Sequence, residues 1–291
     1  MVKKGQNRLS GLEEKIIALC AGRAVSINHS QKLTVNNKNM HQTCLLYQFD
    51  RPIPYLTAWE WQKQLVEERK QARRVGQDLP DVLLLVEHPA VYTLGQGSSL
   101  EFLKFSLEDA GIECHRIERG GEVTHHAIGQ LVAYPILNLD RHQRDLHWYL
   151  RQLEEVIIQV LAKFGVDSQR IQGLTGVWID VDGEKQKIAQ VGIKVSQWIT
   201  MHGFALNINM DLSGFERIVP CGISDCQVCN LNQFLPDTGL ENQNKNLFIE
   251  VRKAIAQTFA KIFDLELLVK TNDIPLPSTA IATVEIASSF N

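Results

Sequence analysis

A mixed α/β (α+β) fold is predicted by three features of the 291-residue chain: a short wholly apolar run, a long stretch of helical period, and a set of alternating strands broken by an Asp-Gly turn. Val82-Leu83-Leu84-Leu85-Val86 is apolar at every position, as a strand buried on both faces requires. Leu146, Tyr149, Leu150, Leu153, Ile157, Val160, Leu161 and Phe164 recur at helical spacing, with Gly165 as a stop. Gly176 to Ile179 and Lys187 to Val195 flank Asp182-Gly183, the signature of a β-hairpin.

The other elements follow in chain order. Residues 1–40 differ in texture: Leu12, Ile16, Ile17 and Cys20 outline one short amphipathic helix, and a polar stretch follows, so a poorly ordered N-terminal extension is expected. Strand-like patterning begins at Leu45-Leu46-Tyr47. Thr57 with Glu60 reads as a capping box opening a helix that runs to Gln77, with Trp61, Leu65 and Val66 on its apolar side. Ile112 to Ile117 is strand-like, Ile199 to Ile208 is a further strand, and a last helix covers Leu247 to Phe263. Residues 271–291 carry two prolines and no period, which predicts a flexible tail. The catalytic body is therefore expected over residues 41–270.

Composition narrows the function classes. With 44% hydrophobic and 22% charged residues, the chain can bury one large core or two small ones. A net charge of −3 provides no global field for a polyanion, so no nucleic-acid partner is expected. Ile16 to Ala21 and Val82 to Val86 are far too short to span a bilayer, so membrane insertion is not expected either. Six dispersed cysteines without a signal segment suit a reducing cytoplasm. Each thiol is then a buried hydrophobe, a metal ligand or a nucleophile.

Four stretches look chemical. Arg119-Gly120-Gly121-Glu122-Val123-Thr124-His125-His126 follows a strand: either the glycines let amides approach a ligand with Arg119 as a donor fork, or a strand simply ends in a turn. Glu87-His88-Pro89 ends the buried strand, where a site and a capped turn are both in keeping. Period two puts Lys187 on one face with Ala189, Val191 and Ile193, leaving it a desolvated base or a snorkelling edge lysine. Cys221 sits on a constrained turn between Pro220 and Gly222, open to a nucleophilic role or a buried one. Cys221, Cys226 and Cys229 with His202 form a candidate zinc set of irregular spacing.

Together these blocks resemble the lipoyl(octanoyl) transferase family. The resemblance rests on Glu87-His88-Pro89 with Tyr92-Thr93-Leu94-Gly95, the Arg119 to His126 block ending in Gly129-Gln130, Lys187-Ile188-Ala189 with Gly192, His202-Gly203-Phe204-Ala205-Leu206-Asn207, and Pro220-Cys221-Gly222-Ile223, in order over about Leu45 to Leu268. It implies a fold shared with biotin and lipoate protein ligases: a mixed sheet packed by helices on one side, with an acyl chain in a tunnel. It implies that an octanoyl group passes from octanoyl-acyl carrier protein to Cys221 as a thioester, then to the lysine of lipoyl domains of 2-oxoacid dehydrogenases and of the glycine cleavage H protein. Lys187 would lower the pKa of Cys221 and handle the proton. Arg119 to His126, Gln190-Val191-Gly192 and Gly203-Phe204-Ala205 would line the acyl site, with no metal or nucleotide cofactor. Amides near Gly222 or in the Gly120-Gly121 turn are candidate oxyanion donors.

The chain departs from the family pattern at Ala127-Ile128, where a Gly-Pro pair is usual, while His126 and Gln130 stay in place. Two other readings remain: an ATP-dependent lipoate or biotin ligase on the same fold, which has no use for a nucleophilic cysteine, and a non-catalytic zinc-bound interaction module.

Overall fold

The computed structural model describes residues 42–220, 226–236 and 243–270. The expected N-terminal extension with its short helix, the tail from Thr271 and the thiol Cys221 lie outside the described residues. Within them the strands are β1 (Gln42–Gln48), β2 (Asp81–Val86), β3 (Val91–Leu94), β4 (Cys114–Arg116), β5 (Val123–His126), β6 (Gln130–Ile136), β7 (Val177–Val181), β8 (Glu184–Ser196), β9 (Ile199–Asn207), β10 (Gln227–Val228) and β11 (Leu265–Lys270). The long helices are α1 (Tyr55–Arg74), α2 (Leu146–Lys163) and α3 (Gln243–Phe263). No described helix is long and apolar enough to cross a membrane.

Eight strands form one mixed sheet in the order β10-β8-β9-β6-β2-β1-β11, with β7 also paired to β8. β1 runs parallel to β2 and β11, whereas β2, β6, β9 and β8 are successively antiparallel. A second sheet, β4-β3-β5, carries the loop that faces the site.

β2 is buried at every position because the main sheet is covered on both faces. Leu83, Leu85, Leu131, Ala133 and Leu206 pack with α2 and α3, while Val82, Leu84, Val132, Tyr134 and Ala205 pack with Ala58, Leu65 and Val66 of α1. The one-sided helix cover implied by the resemblance is thus modified: α1 closes the second face. That face also holds the site.

Helix ends follow local chemistry. The expected capping box at Thr57 does not form; α1 starts two residues earlier behind Pro54, at φ −51°, and no side chain caps it. Asp145 caps α2 instead, accepting from the amides of His147 and Trp148 at 2.8 and 3.0 Å. The Asp182-Gly183 turn forms as expected, with φ of +53° and +89°.

Candidate active site

Strands β5, β6, β8 and β9 and the Arg119 loop bound a cavity of about 500 Å³ when the solvent-filled mouth is included. Gln190 and Gly192 of β8, Gly203, Phe204 and Ala205 of β9, and Val132 and Tyr134 of β6 line it, with Arg119, Glu122, Val123, Thr124 and His126 opposite and Tyr55 of α1 at its edge. Gly203 has room for nothing larger than hydrogen: a Cβ there would lie 2.2 Å from the Ala133 carbonyl oxygen and 2.6 Å from Pro135. The missing side chain lets β6 pack closely against β9 at that point.

The Arg119 loop is braced more than it is free to bind. One guanidinium nitrogen of Arg119 donates to the Thr93 carbonyl and hydroxyl at 2.7 and 3.0 Å, and the other donates to the Gly120 carbonyl at 3.1 Å. Much of the donor fork therefore holds its own loop. Gly120 donates its amide to Ile193 O at 2.9 Å, so that amide is not available to an oxyanion. The Gly121 carbonyl accepts from Gly97 N at 3.2 Å. Gly120 and Gly121 shape the loop without lining the cavity.

Alternation along β5 separates the two histidines. Thr124 and His126 face the cavity, whereas His125 turns to the other face, its ring 4.6 Å from Tyr92 and 5.7 Å from Phe215. Val191 likewise faces the α2 and α3 side. His125 and Val191 are thus placed outside the cavity, against the expectation that both line it.

Lys187 reaches the cavity face by a one-residue bulge. Val177 pairs with Ala189 and Trp178 with Lys187, so Ile188 is the extra residue. Ile188 and Ala189 both bury their side chains in the helix-covered core beside Val177 and Ile179. The alternation therefore slips by one, and Lys187 falls on Trp178's face, its ammonium 4.9 Å from that ring. Strict alternation predicts Lys187 on the side of Ala189, Val191 and Ile193; the bulge places it on the opposite side. Lys187 is only 4% exposed, so it is no snorkelling lysine.

Gly176 leaves space for that side chain. A Cβ at Gly176 would sit 2.6 Å from Lys187 Cε and 2.5 Å from the Ala189 carbonyl, at a φ of +114°. Gly176→Ala is expected to cost about 2 kcal/mol of stability and to displace the lysine. Thermal melting at the wild-type temperature would refute this.

The described residues that flank the Cys221 segment, up to Pro220 and from Cys226, are anchored at Val219, Val228 and Cys229. Val219 donates its amide to Phe102 O at 2.8 Å, and Pro220 is buried. Downstream, Val228 of β10 pairs with Lys187, and Cys229 N donates to Lys187 O at 3.1 Å. Among the other described thiols, burial raises the pKa of Cys44 far above the ordinary range and pushes Cys229 up to about 12. Cys114 is raised by the same cause. Cys229 packs on the α2 and α3 face while His202 lines the cavity on the other, which separates two members of the candidate zinc set.

A buried polar network underlies the cavity. His126 Nδ1 lies 2.6 Å from Gln130 Oε1, Gln130 donates to Asn207 Oδ1 at 2.9 Å, and Asn207 donates to Cys229 O at 3.1 Å. Glu87 accepts from the Gly129 amide at 2.9 Å, which holds the Ala127-Ile128 departure in place without a proline. His202 adopts φ +61°, an uncommon value for a non-glycine residue, and its amide donates to Gln62 of α1 at 2.9 Å. His202 Nε2, both side-chain polar atoms of Gln190 and the Thr124 hydroxyl are buried without a hydrogen-bond partner. Unpaired polar atoms around a cavity suit a ligand that carries polar groups.

Sequence reasoning missed Tyr55, Val132 and Tyr134. Tyr55 lies more than sixty residues before the Arg119 loop, and Val132 and Tyr134 read as ordinary strand residues. Nothing local marks them.

The family model described as lipoyl protein ligase A/B catalytic domain matches residues 54–260. An octanoyltransferase of a Nostoc species is 55% identical over 233 residues, covering 80% of this chain and 98% of that relative. A chloroplastic octanoyltransferase of Arabidopsis thaliana is 44% identical, over 75% of this chain and 78% of that relative. Among solved structures, a bipartite lipoate protein ligase from Thermoplasma acidophilum superposes with a TM-score of 0.58 at 18% identity, covering 81% of this chain and 88% of that one. A lipoate-protein ligase A bound with ATP gives 0.55 at 16% identity, over 80% and 90%. At those identities the two structures speak to the fold alone, and they agree with the predicted mixed sheet and helices.

Proposed function

The chain belongs to the lipoyl protein ligase A/B catalytic domain family, and we propose that it transfers an octanoyl group from octanoyl-acyl carrier protein to the lysine of lipoyl domains through a thioester on Cys221. The observation that carries this reading is the one-residue bulge that sets buried Lys187 on the cavity face, beside the strand into which the Cys221 segment runs. The octanoyltransferase relatives support the chemistry, and the cavity floored by Gly192, Gly203 and Ala205 suits an alkyl chain. The acceptors are lipoyl domains of 2-oxoacid dehydrogenases and of the glycine cleavage H protein. The catalytic domain spans residues 41–270. Thiol chemistry of this kind belongs in a reducing compartment such as the cytoplasm.

In the first step the Cys221 thiolate attacks the donor thioester carbonyl. The Sγ–C bond forms, the donor C–S bond breaks, and the donor thiol leaves with the proton that Lys187 held. Thioester exchange of this kind is nearly isoenergetic. In the second step the acceptor amine attacks the same carbonyl, the C–N bond forms and Cys221 Sγ departs; Lys187 takes the amine proton. The Lys187 ammonium favours the thiolate by charge proximity. Arg119, Thr124, His126, Gln190 and His202 surround the acyl group.

The test is incubation with octanoyl-acyl carrier protein without ATP, followed by intact-mass analysis. A gain of one octanoyl group on the wild type, absent in Cys221→Ala of unchanged melting temperature, is the expected result. Strict ATP dependence would instead favour a ligase and sink the transferase reading.

A further inference from the structure

Helix α2 carries a carboxylate that the proposed chemistry does not use. Glu154 is fully buried. Its Oε1 accepts from the Gly176 amide at 2.9 Å, and its Oε2 accepts from Arg151 at 2.6 Å and from Arg170 at 3.1 Å. Arg170 reaches further, donating to the Arg151 carbonyl at 2.9 Å and to Glu155 at 2.7 Å. A buried ion pair is a weak source of stability against apolar packing, and its best-attested use is to fix one arrangement of the chain.

The arrangement fixed here is that of a loop. Gln169 and Trp178 exchange backbone hydrogen bonds at 2.8 and 2.9 Å, which loops out the residues between them. Glu154 grips that loop at both ends, Gly176 on one oxygen and Arg170 on the other. Residues 171–175 are half-buried or exposed, whereas Gly176 is buried.

Gly176 is also where the loop meets Lys187. A Cβ there would lie 2.6 Å from Lys187 Cε and 3.3 Å from Nζ, so the glycine backbone touches the end of the lysine. Trp178, whose ring lies 4.9 Å from the same ammonium, is the residue bridged to Gln169. Two surfaces against which Lys187 packs thus belong to the segment that Glu154 ties to α2.

We infer that Glu154 is a positioning residue that acts through Gly176 to aim the Lys187 ammonium. This rests on the transferase reading above, in which that ammonium sustains the Cys221 thiolate. Charge alone predicts the opposite sign. An anion disfavours a second anion, so removing Glu154 without moving the lysine would leave the pKa of Cys221 unchanged or lower it. Releasing the lysine raises it.

The experiment measures two quantities in wild type, Glu154→Leu, Lys187→Met and the double variant. The first is the pH midpoint of iodoacetamide alkylation, read on the Cys221 peptide by mass spectrometry. Glu154→Leu is expected to raise that midpoint by about one pH unit, a roughly 10-fold fall in alkylation rate at pH values below both midpoints. The second is the octanoyl transfer rate per folded enzyme. Glu154→Leu is expected to lower it about 10-fold in the wild-type background and less than about 2-fold in the Lys187→Met background, where the lysine it aims is gone. General damage to the fold lowers the rate in both backgrounds. Should Glu154→Leu not fold, Glu154→Gln, which loses the charge that draws Arg151 and Arg170, takes its place with a smaller rise in midpoint expected. A midpoint that stays or falls in the Glu154 variants, or equal fold losses in the two backgrounds, overturns the role of Glu154 while leaving octanoyl transfer standing. A midpoint unmoved by Lys187→Met overturns the Cys221–Lys187 pairing itself, and the role of Glu154 with it.

Discussion

Lys187→Met is expected to lower octanoyl transfer about 1,000-fold, the middle of the range for losing a positioned proton-transfer group. Methionine keeps most of the stem that runs over Gly176 and beside Trp178, so the loss reports the ammonium rather than a hole. The pH at which Cys221 alkylates should rise toward that of an ordinary thiol. Arg119 is unable to substitute, since its guanidinium is engaged by Thr93 and Gly120. Iodoacetamide kinetics against pH check the claim. An alkylation midpoint and transfer rate equal to wild type would remove Lys187 from the mechanism.

The second large effect is acid lability. Burial is the main cause that pushes the pKa of His88 and His125 down to about 4 and of His202 to about 3, and it drives His126 well below its ordinary value. Asp211 opposes the shift at His125 and Glu118 opposes it at His202, without overcoming burial. The unfolded chain protonates these rings near pH 6.5. Between about 6.5 and about 4 the unfolded state therefore binds more protons, and stability falls as pH is lowered through that window. Each buried ring adds a slope of about 1.4 kcal/mol per pH unit. Above the window these rings add no pH dependence. Urea unfolding at pH 7.5 and pH 5 checks this; equal midpoints would contradict the neutral assignment of all four rings.

Much of the fold is legible locally because burial leaves a periodic trace. The apolar run at Val82 to Val86 forecasts a strand covered on both faces, and both faces are covered. The helix ending near Phe164 and the Asp182-Gly183 turn are forecast closely. The start of α1 is not, because Thr57 and Glu60 carry the letters of a capping box while Pro54 and Tyr55 set the actual entry. The site is legible in part. Gly203 and Gly192 are recognisable from motif spacing, but His125 and His126 look equivalent in sequence and differ in the structure by one step of strand alternation.

Lys187 shows where the division lies. The sequence by itself determined that a lysine stands in an apolar strand, that small residues follow it, and that Cys221 lies 34 residues downstream between proline and glycine. Only the tertiary structure decided which way Lys187 points. Period-two patterning predicts alternation but is blind to an inserted residue, and the bulge at Ile188 is tolerated because both Ile188 and Ala189 find room in the core beside Val177 and Ile179. The same holds for Tyr134 and His88, 46 residues apart. Their hydrogen bond, which braces the floor of the cavity, exists only because β2 and β6 are neighbours in the sheet.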